Sequence, residues 1–511
     1  MGSGKTAAGE ALGEFTGRKF ADMDSEIESG YTKSIVEIFE DEGEDEFRKA
    51  EAELLRKLSR KKYLIIATGG GVPANPENLK LMKRSGQIVF LDTDLNTCVS
   101  RITGAGHESR PKWGTDEEVS KLYQSRLPAY QPADHNIKTS GLSPHQTAIE
   151  IIKFVADLKE YSSHIDSKRC RIIPEFNAPQ HLAELLNDKK FAILTDKTVE
   201  KTHLDKYTKT LNPALTITVP AGEKSKSLRE AETIYSKLLE SRLDRSDTLV
   251  AIGGGVITDL GGFVASTYKR GINYIPVSTS LVGCADAAIG GKTAVNLGGT
   301  KNVVGTFSIP DQVILDLTAL KSLPVKLIRD GLIEAYKTGL VADPNLAAYI
   351  SDNMRSLLKG DILSLSFVAH RSAVAKARIV EEDFREGNRR RILNYGHTFG
   401  HAMEGMKKYK ASHGTSVGIG MLVATVISGS RGLLDKDESE SINDTVLNLL
   451  KKSPLIPKLD DAWDVLLNDK KNVGGKIIFV LLEGIGKPVI VHNVSYNELN
   501  DAVNAVRGKT W

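Results

Sequence analysis

The chain has few cysteines and no long apolar run, and both features exclude certain classes of protein. Its 511 residues include 3 cysteines, Cys98, Cys170 and Cys284, too widely spaced for a disulfide framework or a zinc ribbon. We therefore expect a reducing compartment, the cytoplasm. No run of eighteen apolar residues occurs, and residues 1–6 lack the apolar core of a secretory signal, so we expect no membrane partner.

The excess of positive over negative charge is also small. The 68 Lys and Arg residues against 65 Asp and Glu residues give a net charge of +3, too small to predict a nucleic-acid partner. Hydrophobic residues at 41% and charged residues at 26% exclude a mainly disordered chain. At about 100–200 residues per domain, the length predicts three or four domains.

The pattern of strands and helices predicts three regions and a linker. Short apolar segments at 63–67 and 87–91 are typical of buried parallel strands, and so are Phe191–Asp196 and 248–252. The pattern becomes mostly helical from about Pro324. We expect an α/β region at 1–160, a polar linker at 161–168, an α/β domain at 169–323 and a helical domain at 324–511.

A glycine-rich turn opens the chain. Gly2-Ser3-Gly4-Lys5-Thr6 precedes a helix-forming stretch and matches the second half of the phosphate-loop pattern G-x-x-x-x-G-K-[ST]. In such loops the lysine and backbone N–H groups face phosphate oxygens, and the threonine ligates Mg²⁺. Alone, the pentapeptide is equally compatible with a simple glycine turn. The pattern's first glycine and its feeding strand would precede residue 1, so we expect a kinase-like parallel sheet without its first strand.

Further groups along residues 1–160 follow in a fixed order. They are Asp22-Met23-Asp24, Arg48, Gly69-Gly70-Gly71, Arg110-Pro111 and Arg126. Taken singly, Arg48 and Arg126 are typical of surface charges. The order of all the groups is therefore more informative than any one of them. In this order and at these spacings the groups resemble shikimate kinase across nearly all of the region.

The resemblance implies ATP and Mg²⁺ as cofactors and shikimate as substrate. Residues 2–6 would bind the nucleotide, and Thr6 with Asp22 would hold Mg²⁺. Asp24 would accept a substrate hydrogen bond and act as base, while Arg110 on a mobile lid would offset charge on the transferring phosphoryl group. The implied shikimate contacts are Arg48, Gly70, Gly71 and Arg126, whose guanidinium groups suit a carboxylate.

A second glycine-rich turn lies near the middle of the chain. Gly253-Gly254-Gly255-Val256 follows a strand and opens a helix, so a pyrophosphate could approach the backbone at the helix N-terminus. The turn does not match the pattern G-x-G-x-x-G, and alone it is weak evidence for a dinucleotide site. Asp196 ends another strand and suits either a ribose hydroxyl or a helix N-cap. Lys292 follows two glycines but lacks the earlier glycine of a phosphate loop, so we exclude that interpretation.

Histidines are concentrated near residue 400. Three of the chain's 11 histidines, His397, His401 and His413, fall within seventeen residues, and Glu334 shares a predicted helix face with Lys337. A glutamate with histidines is the ligand set of a catalytic zinc. The i, i+4 spacing alone suggests that His397 and His401 both ligate, or that they cap helices or pack in a core.

Residues from about 170 to 511 resemble 3-dehydroquinate synthase. The motifs are Gly253-Gly254-Gly255-Val256 with Asp259, 267–271, 286–292, Lys301-Asn302, 334–337, and 394–401 with His413. The resemblance implies Zn²⁺ or Co²⁺ held by Glu334, His397 and His413, with His401 handling protons. The implied NAD contacts are Asp196, Glu223, Lys226, Gly254, Gly255, Val256, Asp259, Thr279, Ser280 and Lys301.

The resemblance also implies a largely cationic substrate site. The implied catalytic or substrate contacts are Arg270, Asp286, Lys292, Asn302, Lys337, Lys376, Glu386, Arg390, Asn394, His401, His413, and Lys470 or Lys471. Lysine and arginine suit a substrate with a phosphate and a carboxylate. The chain departs from the family at 323–327, where Lys326-Leu327 replaces the usual Arg-Glu.

We therefore expect a bifunctional shikimate-pathway enzyme. One part would cyclise 3-deoxy-D-arabino-heptulosonate 7-phosphate to 3-dehydroquinate with phosphate release, and the other would phosphorylate shikimate to shikimate 3-phosphate. The alternative is another sugar-phosphate cyclase or a metal-dependent polyol dehydrogenase with a non-catalytic N-terminal module. Synthases of this type are commonly dimers, so a homodimer through the synthase part is expected.

Overall fold

The computed structural model describes residues 2–103, 116–298, 300–406, 409, 411–450, 455–467 and 477–508. Arg110, Lys470 and Lys471, which were expected at the sites, lie outside the described residues. Contacts divide the chain into two compact units, Met1–Leu158 and Lys159–Trp511. No helix within the described ranges has the length and hydropathy needed to span a bilayer.

The first unit alternates helices with short strands. Its elements are α1 Lys5–Thr16, β1 Lys19–Asp22, α2 Met23–Tyr31, α3 Ile35–Asp41, α4 Glu44–Leu58, β2 Leu64–Ala67, α5 Pro76–Ser85, β3 Val89–Asp92, α6 Leu95–Thr103, α7 Asp116–Tyr130, β4 His135–Lys138 and α8 Pro144–Val155. The pairs β1–β2 and β3–β4 are both parallel, as predicted. They form two separate two-stranded sheets, and no described strand joins them. Apolar clusters that include Met23 and Ile38 form the core of this unit.

The second unit combines a large sheet with a helical half. Its strands are β5 Tyr161–Ile165, β6 Lys168–Glu175, β7 Phe191–Asp196, β8 Leu215–Val219, β9 Thr248–Gly253, β10 Asn273–Ser278, β11 Lys292–Leu297, β12 Thr300–Phe307, β13 Gln312–Asp316, β14 Phe479–Leu482 and β15 Pro488–Val491. Its helices are α9 Ala178–Leu185, α10 Lys197–Val199, α11 Asp205–Thr208, α12 Leu228–Glu240, α13 Gly255–Thr267, α14 Val325–Ala342, α15 Pro344–Asp352, α16 Met354–Leu358, α17 Ile362–Glu382, α18 His397–Gly405, α19 His413–Ser430, α20 Lys436–Leu450, α21 Leu459–Leu467 and α22 Tyr496–Arg507. The predicted fold class, α/β followed by helices, is confirmed.

Seven strands form the main sheet in the order β5-β6-β13-β10-β9-β7-β8. All neighbours are parallel except β5 and β6. Along β7, Leu194 joins one apolar cluster and Ile193 another, because alternate side chains point to opposite faces. Gly253 at the end of β9 pairs with Ser278 at the end of β10. The carboxyl ends of β7, β9 and β10 therefore share one edge, where ligands bind in open α/β sheets.

The linker expected at residues 161–168 is wrong. β5 and β6 pair as an antiparallel hairpin at the edge of the main sheet, with Asp166 and Ser167 in the turn at φ 47° and 63°. Tyr161 Oη donates to Glu381 Oε2 on α17 over 2.9 Å. The segment is polar because an edge strand exposes part of its length, not because it lacks structure. The division of this unit at residue 323 stays a prediction.

Glycines allow α18 and α19 to approach closely. A methyl group on Gly400 would lie 2.8 Å from the Ser416 carbonyl oxygen, and one on Gly420 would overlap the carbonyl oxygen of Gly396. Gly396, the residue just before α18, has φ 77° in the left-handed region. Since α18 and α19 begin with histidines, this contact brings distant imidazoles together.

Candidate active sites

The phosphate-loop residues turn directly into α1. Gly4 has φ 81° and lies just before the helix, whose N-terminus has no side-chain cap. Lys5 Nζ lies 3.4 Å from Ser3 Oγ, within the loop. Uncapped N–H groups at a helix start, together with a lysine, suit an anion such as a nucleotide phosphate.

Thr6 and Asp22, the residues expected to hold Mg²⁺, are brought together. Thr6 Oγ1 donates to Asp22 Oδ2 over 2.6 Å. Asp22 ends β1 and caps α2, with its other oxygen accepting from the Asp24 backbone N–H over 3.0 Å. The hydroxyl and carboxylate oxygens that Mg²⁺ prefers therefore share one site beside the loop.

The predicted shikimate residues meet at the glycine turn after β2. Methyl groups on the three glycines of 69–71 would contact Asp24, Arg126 and Arg48 in turn, at 2.8 Å for Asp24 Oδ1 and 3.0 Å for Arg126 Nη1. Tyr130 Oη donates to the Gly70 carbonyl oxygen over 2.7 Å and holds the turn. Glycine is therefore needed here because charged side chains approach the backbone.

Glu51 is a residue of this site that the sequence analysis missed. Its side chain is 2% exposed and forms an ion pair with Arg48 Nη1 at 2.5 Å. Burial raises the pKa of Glu51, and the nearby arginine only partly offsets it. The available signal was its position three residues after Arg48 on α4, on the same helix face.

A cavity of about 100 Å³, open to solvent on one side, adjoins these residues. Its polar lining includes Ser3, Lys5 and Arg126, and its apolar lining includes Phe90 and Leu122. The phosphate loop and Arg126, which approaches the glycine turn from α7, therefore border one space, as a phosphotransferase requires.

The mid-chain glycines lie at the ligand edge of the main sheet. Gly254 precedes α13 without a side-chain cap. A methyl group on Gly254 would lie 3.1 Å from Ser280 Oγ, and one on Gly255 would lie 2.8 Å from the Ala287 Cβ. Asp196 caps α10 through Oδ1, which accepts from the Thr198 N–H over 2.7 Å. The capping alternative for Asp196 is thus observed for one of its oxygens.

A buried lysine joins the expected cofactor and substrate residues. Lys226, with 5% of its side chain exposed, forms an ion pair with Asp259. It also donates to Asn302 Oδ1 over 2.5 Å. Burial raises the pKa of Asp259 in spite of this lysine. Glu223 is tied to the same region, since its Oε1 accepts from Asn296 Nδ2 over 2.8 Å.

Glu334, His397 and His413 converge from α14, α18 and α19. Glu334 is 0% exposed, and its Oε1 lies 3.1 Å from His413 Nε2 and 3.9 Å from His397 Nε2. One ligand atom from each residue lies within 4.8 Å of the others. Although buried, Glu334 Oε1 has no well-oriented hydrogen-bond donor. A buried carboxylate oxygen facing two imidazole nitrogens fits a divalent cation with an open position.

The second oxygen of Glu334 is held by Lys337. Lys337 Nζ donates to Glu334 Oε2 over 2.6 Å, and the lysine is itself 1% exposed. Burial would raise the pKa of Glu334, but Lys337 and His413 outweigh it and lower the pKa. The carboxylate is therefore ionised and available as a ligand.

His413 lies between two carboxylates. Its Nδ1 is 2.7 Å from Glu404 Oε1, and Glu404 Oε2 is 3.0 Å from Lys301 Nζ. Burial lowers the pKa of His413, but Glu334 and Glu404 outweigh this and raise it to about 10. Glu404 was not among the residues predicted from the sequence, although it follows His401 by three residues on one helix.

The structure does not favour the i, i+4 pair as joint ligands. Within the described ranges, a second candidate group contains His401, Glu404 and His413, and neither group includes both His397 and His401. The His401 ring centroid lies 4.9 Å from that of His397 and 6.0 Å from that of His413. Spacing along one helix failed here because His413 arrives from another helix.

Asp286 gathers two of the expected substrate lysines. Lys376 Nζ lies 2.9 Å from Asp286 Oδ1 and donates to its carbonyl oxygen over 2.5 Å. Lys337 Nζ lies 3.8 Å from the same Asp286 oxygen. Burial lowers the pKa of Lys376 in spite of Asp286, whereas the two lysines bring the pKa of Asp286 well below its usual range against its burial.

A second group surrounds Glu386. It forms an ion pair with Lys292, and its Oε1 accepts from Asn394 Nδ2 over 2.8 Å. Arg390 is 3% exposed and donates to the Gly290 carbonyl oxygen over 3.1 Å. Burial lowers the pKa of both Lys292 and Arg390. An incoming phosphate or carboxylate would compete with Glu386 and Asp286 for these cations.

Arg270 lies beyond the opposite end of α13 from the mid-chain glycines. It is exposed and follows the C-terminal end of α13, whereas Gly254 lies at the N-terminal end. A helix of this length spans roughly 20 Å. The role of Arg270 as a substrate contact stays a prediction.

Family models match the chain in three stretches. Shikimate kinase matches residues 1–156, the N-terminal model of 3-dehydroquinate synthase matches 216–330, and the C-terminal model matches 331–472. A solved structure of 2-epi-5-epi-valiolone synthase from Streptomyces hygroscopicus subsp. jinggangensis, with NAD⁺ and Zn²⁺ bound, is 27% identical with a TM-score of 0.62. It covers 67% of this chain and 97% of its own.

Curated relatives agree with these models. 3-Dehydroquinate synthase of Dictyoglomus thermophilum is 41% identical over 57% of this chain and 82% of its own. A bifunctional shikimate kinase/3-dehydroquinate synthase of Thermotoga maritima is 32% identical over 489 residues, which is 95% of each chain. The chain belongs to the family of bifunctional shikimate kinase/3-dehydroquinate synthases.

Proposed function

We propose that the second unit cyclises 3-deoxy-D-arabino-heptulosonate 7-phosphate to 3-dehydroquinate and releases phosphate, with NAD and Zn²⁺ or Co²⁺ as cofactors. The observation that carries this proposal is the buried Glu334 carboxylate, whose unsatisfied oxygen faces His397 and His413. These three side chains would hold the metal. When bound, the metal would polarise a substrate hydroxyl, and NAD would take up and return a hydride.

The chain's own residues would orient the substrate and handle its charges. Lys292, Lys376 and Arg390 would bind the phosphate and carboxylate, since burial leaves these cations poorly solvated and strongly attracted to anions. His401, beside the metal ligands, would transfer protons through its imidazole. The cofactor contacts proposed are Asp196, Glu223, Lys226, Gly254, Gly255, Val256, Asp259, Thr279, Ser280 and Lys301.

Phosphate release from the heptulosonate phosphate tests the synthase proposal. We expect activity that requires both NAD and metal, with no net NADH, because the cofactor is regenerated in each turnover. Glu334→Ala should lose this activity, whereas Glu498→Ala on α22 should keep it. Net NADH without phosphate release would instead identify a polyol dehydrogenase.

We propose that the first unit phosphorylates shikimate with ATP and Mg²⁺. The Thr6–Asp22 hydrogen bond and the convergence of Asp24, Arg48 and Arg126 on the glycine turn support this proposal. Lys5→Met should abolish ATP-dependent phosphorylation of shikimate and leave phosphate release by the second unit unchanged. Absence of kinase activity in the unaltered chain would favour a non-catalytic module.

We also propose a homodimer in the cytoplasm. The family resemblance of the second unit supports the dimer, and the three free cysteines, all buried, support a reducing compartment. Light scattering of the purified chain would give its mass in solution. A mass of one chain would contradict the dimer.

A further inference from the structure

We propose that Glu404 is a positioning residue for His413, fixing the imidazole so that Nε2 faces the metal. The proposal rests on the metal ligands proposed above. Glu404 lies on α18, and its side chain is 8% exposed. Its Oε1 lies 2.7 Å from His413 Nδ1, on the opposite side of the ring from Glu334.

The two nitrogens of His413 require different partners. Nε2 lies 3.1 Å from Glu334 Oε1 and would give up its proton to a metal. Nδ1 would then keep its proton and donate it to Glu404. A carboxylate at this position fixes the tautomer, orients the ring and makes the metal-binding nitrogen more basic.

The other proposed imidazole ligand has a weaker support. His397 Nδ1 lies 3.2 Å from the Tyr395 carbonyl oxygen, a neutral acceptor in the chain segment leading into the same helix. His413 needs the stronger acceptor because its side chain is 40% exposed, whereas that of His397 is 10% exposed. A carboxylate thus orients the ligand that packing restrains least.

Glu404 is itself anchored by a second contact. Its Oε2 lies 3.0 Å from Lys301 Nζ on β12. An ion pair on one oxygen and an imidazole on the other restrict rotation of the carboxylate. Lys301 therefore helps to keep Oε1 directed at His413.

One alternative is that Glu404 ligates the metal directly. His401, Glu404 and His413 also offer ligand atoms within 4.8 Å of one another. In that case Glu404 would be indispensable for binding and Glu334 would not. The positioning role predicts the reverse order of importance.

Metal affinity of the full chain distinguishes these roles. Zn²⁺ binding to the stripped protein would be measured by competition with a chromophoric chelator, and ligand geometry by the visible absorption of bound Co²⁺. We expect Glu404→Ala to weaken Zn²⁺ binding by about 10–100-fold and to leave the visible spectrum of bound Co²⁺ unchanged. Glu404→Gln should lose less, because its amide oxygen can still accept from Nδ1. Glu498→Ala, which loses an ion pair with Arg431 at 2.7 Å, should bind Zn²⁺ like the unaltered chain.

The outcomes distinguish the role of Glu404 from the proposed set of metal ligands on which it rests. Full Zn²⁺ affinity in Glu334→Ala would overturn the metal ligand set itself. Loss of binding in Glu334→Ala with full affinity in Glu404→Ala would overturn only the role of Glu404. Complete loss in Glu404→Gln with binding kept in Glu334→Ala would identify Glu404 as a direct ligand. If Glu404→Ala does not fold, Glu404→Gln decides, and unchanged affinity in that variant contradicts the inference.

Discussion

At the scale of single residues, two carboxylates of the synthase site, Glu334 and Asp286, each face two cations. Glu334 contacts Lys337 and His413, and Asp286 contacts Lys337 and Lys376. Such sharing keeps the acids ionised despite burial, because an isolated buried charge is very costly. The resemblance to 3-dehydroquinate synthase implied all these members, and all but Lys376 lie in the motifs that carry the resemblance. The sequence did not predict Glu404 or Glu51, whose importance comes from the partners that folding brings to them.

Removing Lys337 should reveal how much free energy it costs to bury the Glu334 carboxylate. We expect Lys337→Met to lower the free energy of unfolding of the metal-free protein by about 3–5 kcal/mol, because Glu334 would keep a buried charge with one partner fewer. Urea unfolding in the presence of a chelator would measure this. Lys436→Met, which loses only an exposed pair with Glu440, should cost less than about 1 kcal/mol. Equal losses in the two variants would contradict the explanation.

The buried thiols should be unreactive in the folded protein. Burial raises the pKa of both Cys170 and Cys284 to about 12, and it also raises the pKa of Cys98. Because the thiolate is the reactive form, a raised pKa leaves little of it at pH 8. We expect slow reaction of the native chain with a disulfide reagent and rapid reaction in guanidinium chloride. Rapid labelling of the native thiols would contradict the observed burial.

At the scale of elements, the sequence predicted buried strands better than it predicted the edge strand β5 or the contact between α18 and α19. Phe191–Asp196 is observed with the predicted bounds, and the segments at 63–67, 87–91 and 248–252 overlap β2, β3 and β9. Periodicity and apolar content suffice for buried strands because both faces are covered. The edge strand β5 was missed because an exposed edge is polar like a linker. Spacing along one helix could not predict that His413 on α19 joins the site, because the contact of α18 with α19 is a tertiary contact.

The contact between α18 and α19 should be intolerant of a single methyl group. We expect Gly420→Ala to destabilise the protein by at least about 1–3 kcal/mol and to weaken metal binding, since the helices carrying His397 and His413 must separate. Gly429→Ala, on the same helix, meets only the Ser439 hydroxyl at 3.2 Å and should be neutral or stabilising by up to about 1 kcal/mol. Thermal unfolding of both variants would compare them. Similar melting temperatures would count against the close-packing explanation.

At the scale of the whole molecule, each unit has apolar clusters of its own. Clusters around Met23 and Ile38 belong to the first unit, and those around the main sheet belong to the second. Length predicted several domains, and the pattern of strands and helices predicted that the first region ends near residue 160. The structure places that division after Leu158, ahead of β5.

The position of this division can be tested by truncation. We expect a fragment of residues 159–511 to fold and to release phosphate from the heptulosonate phosphate at the rate of the full chain. A fragment starting at residue 169 lacks β5 and the Tyr161–Glu381 hydrogen bond, and it should unfold at a lower temperature. Thermal unfolding and phosphate release would compare the two. Equal stability would restore 161–168 as a dispensable linker.

The doubly held imidazole of His413 has a consequence for how the enzyme matures. Glu334 and Glu404 raise the pKa of His413 to about 10, so before any metal binds an imidazolium lies between the two carboxylates of the folded chain. Loading then exchanges a proton for a divalent ion in a finished site. Acid therefore opposes metal loading, and alkali assists it.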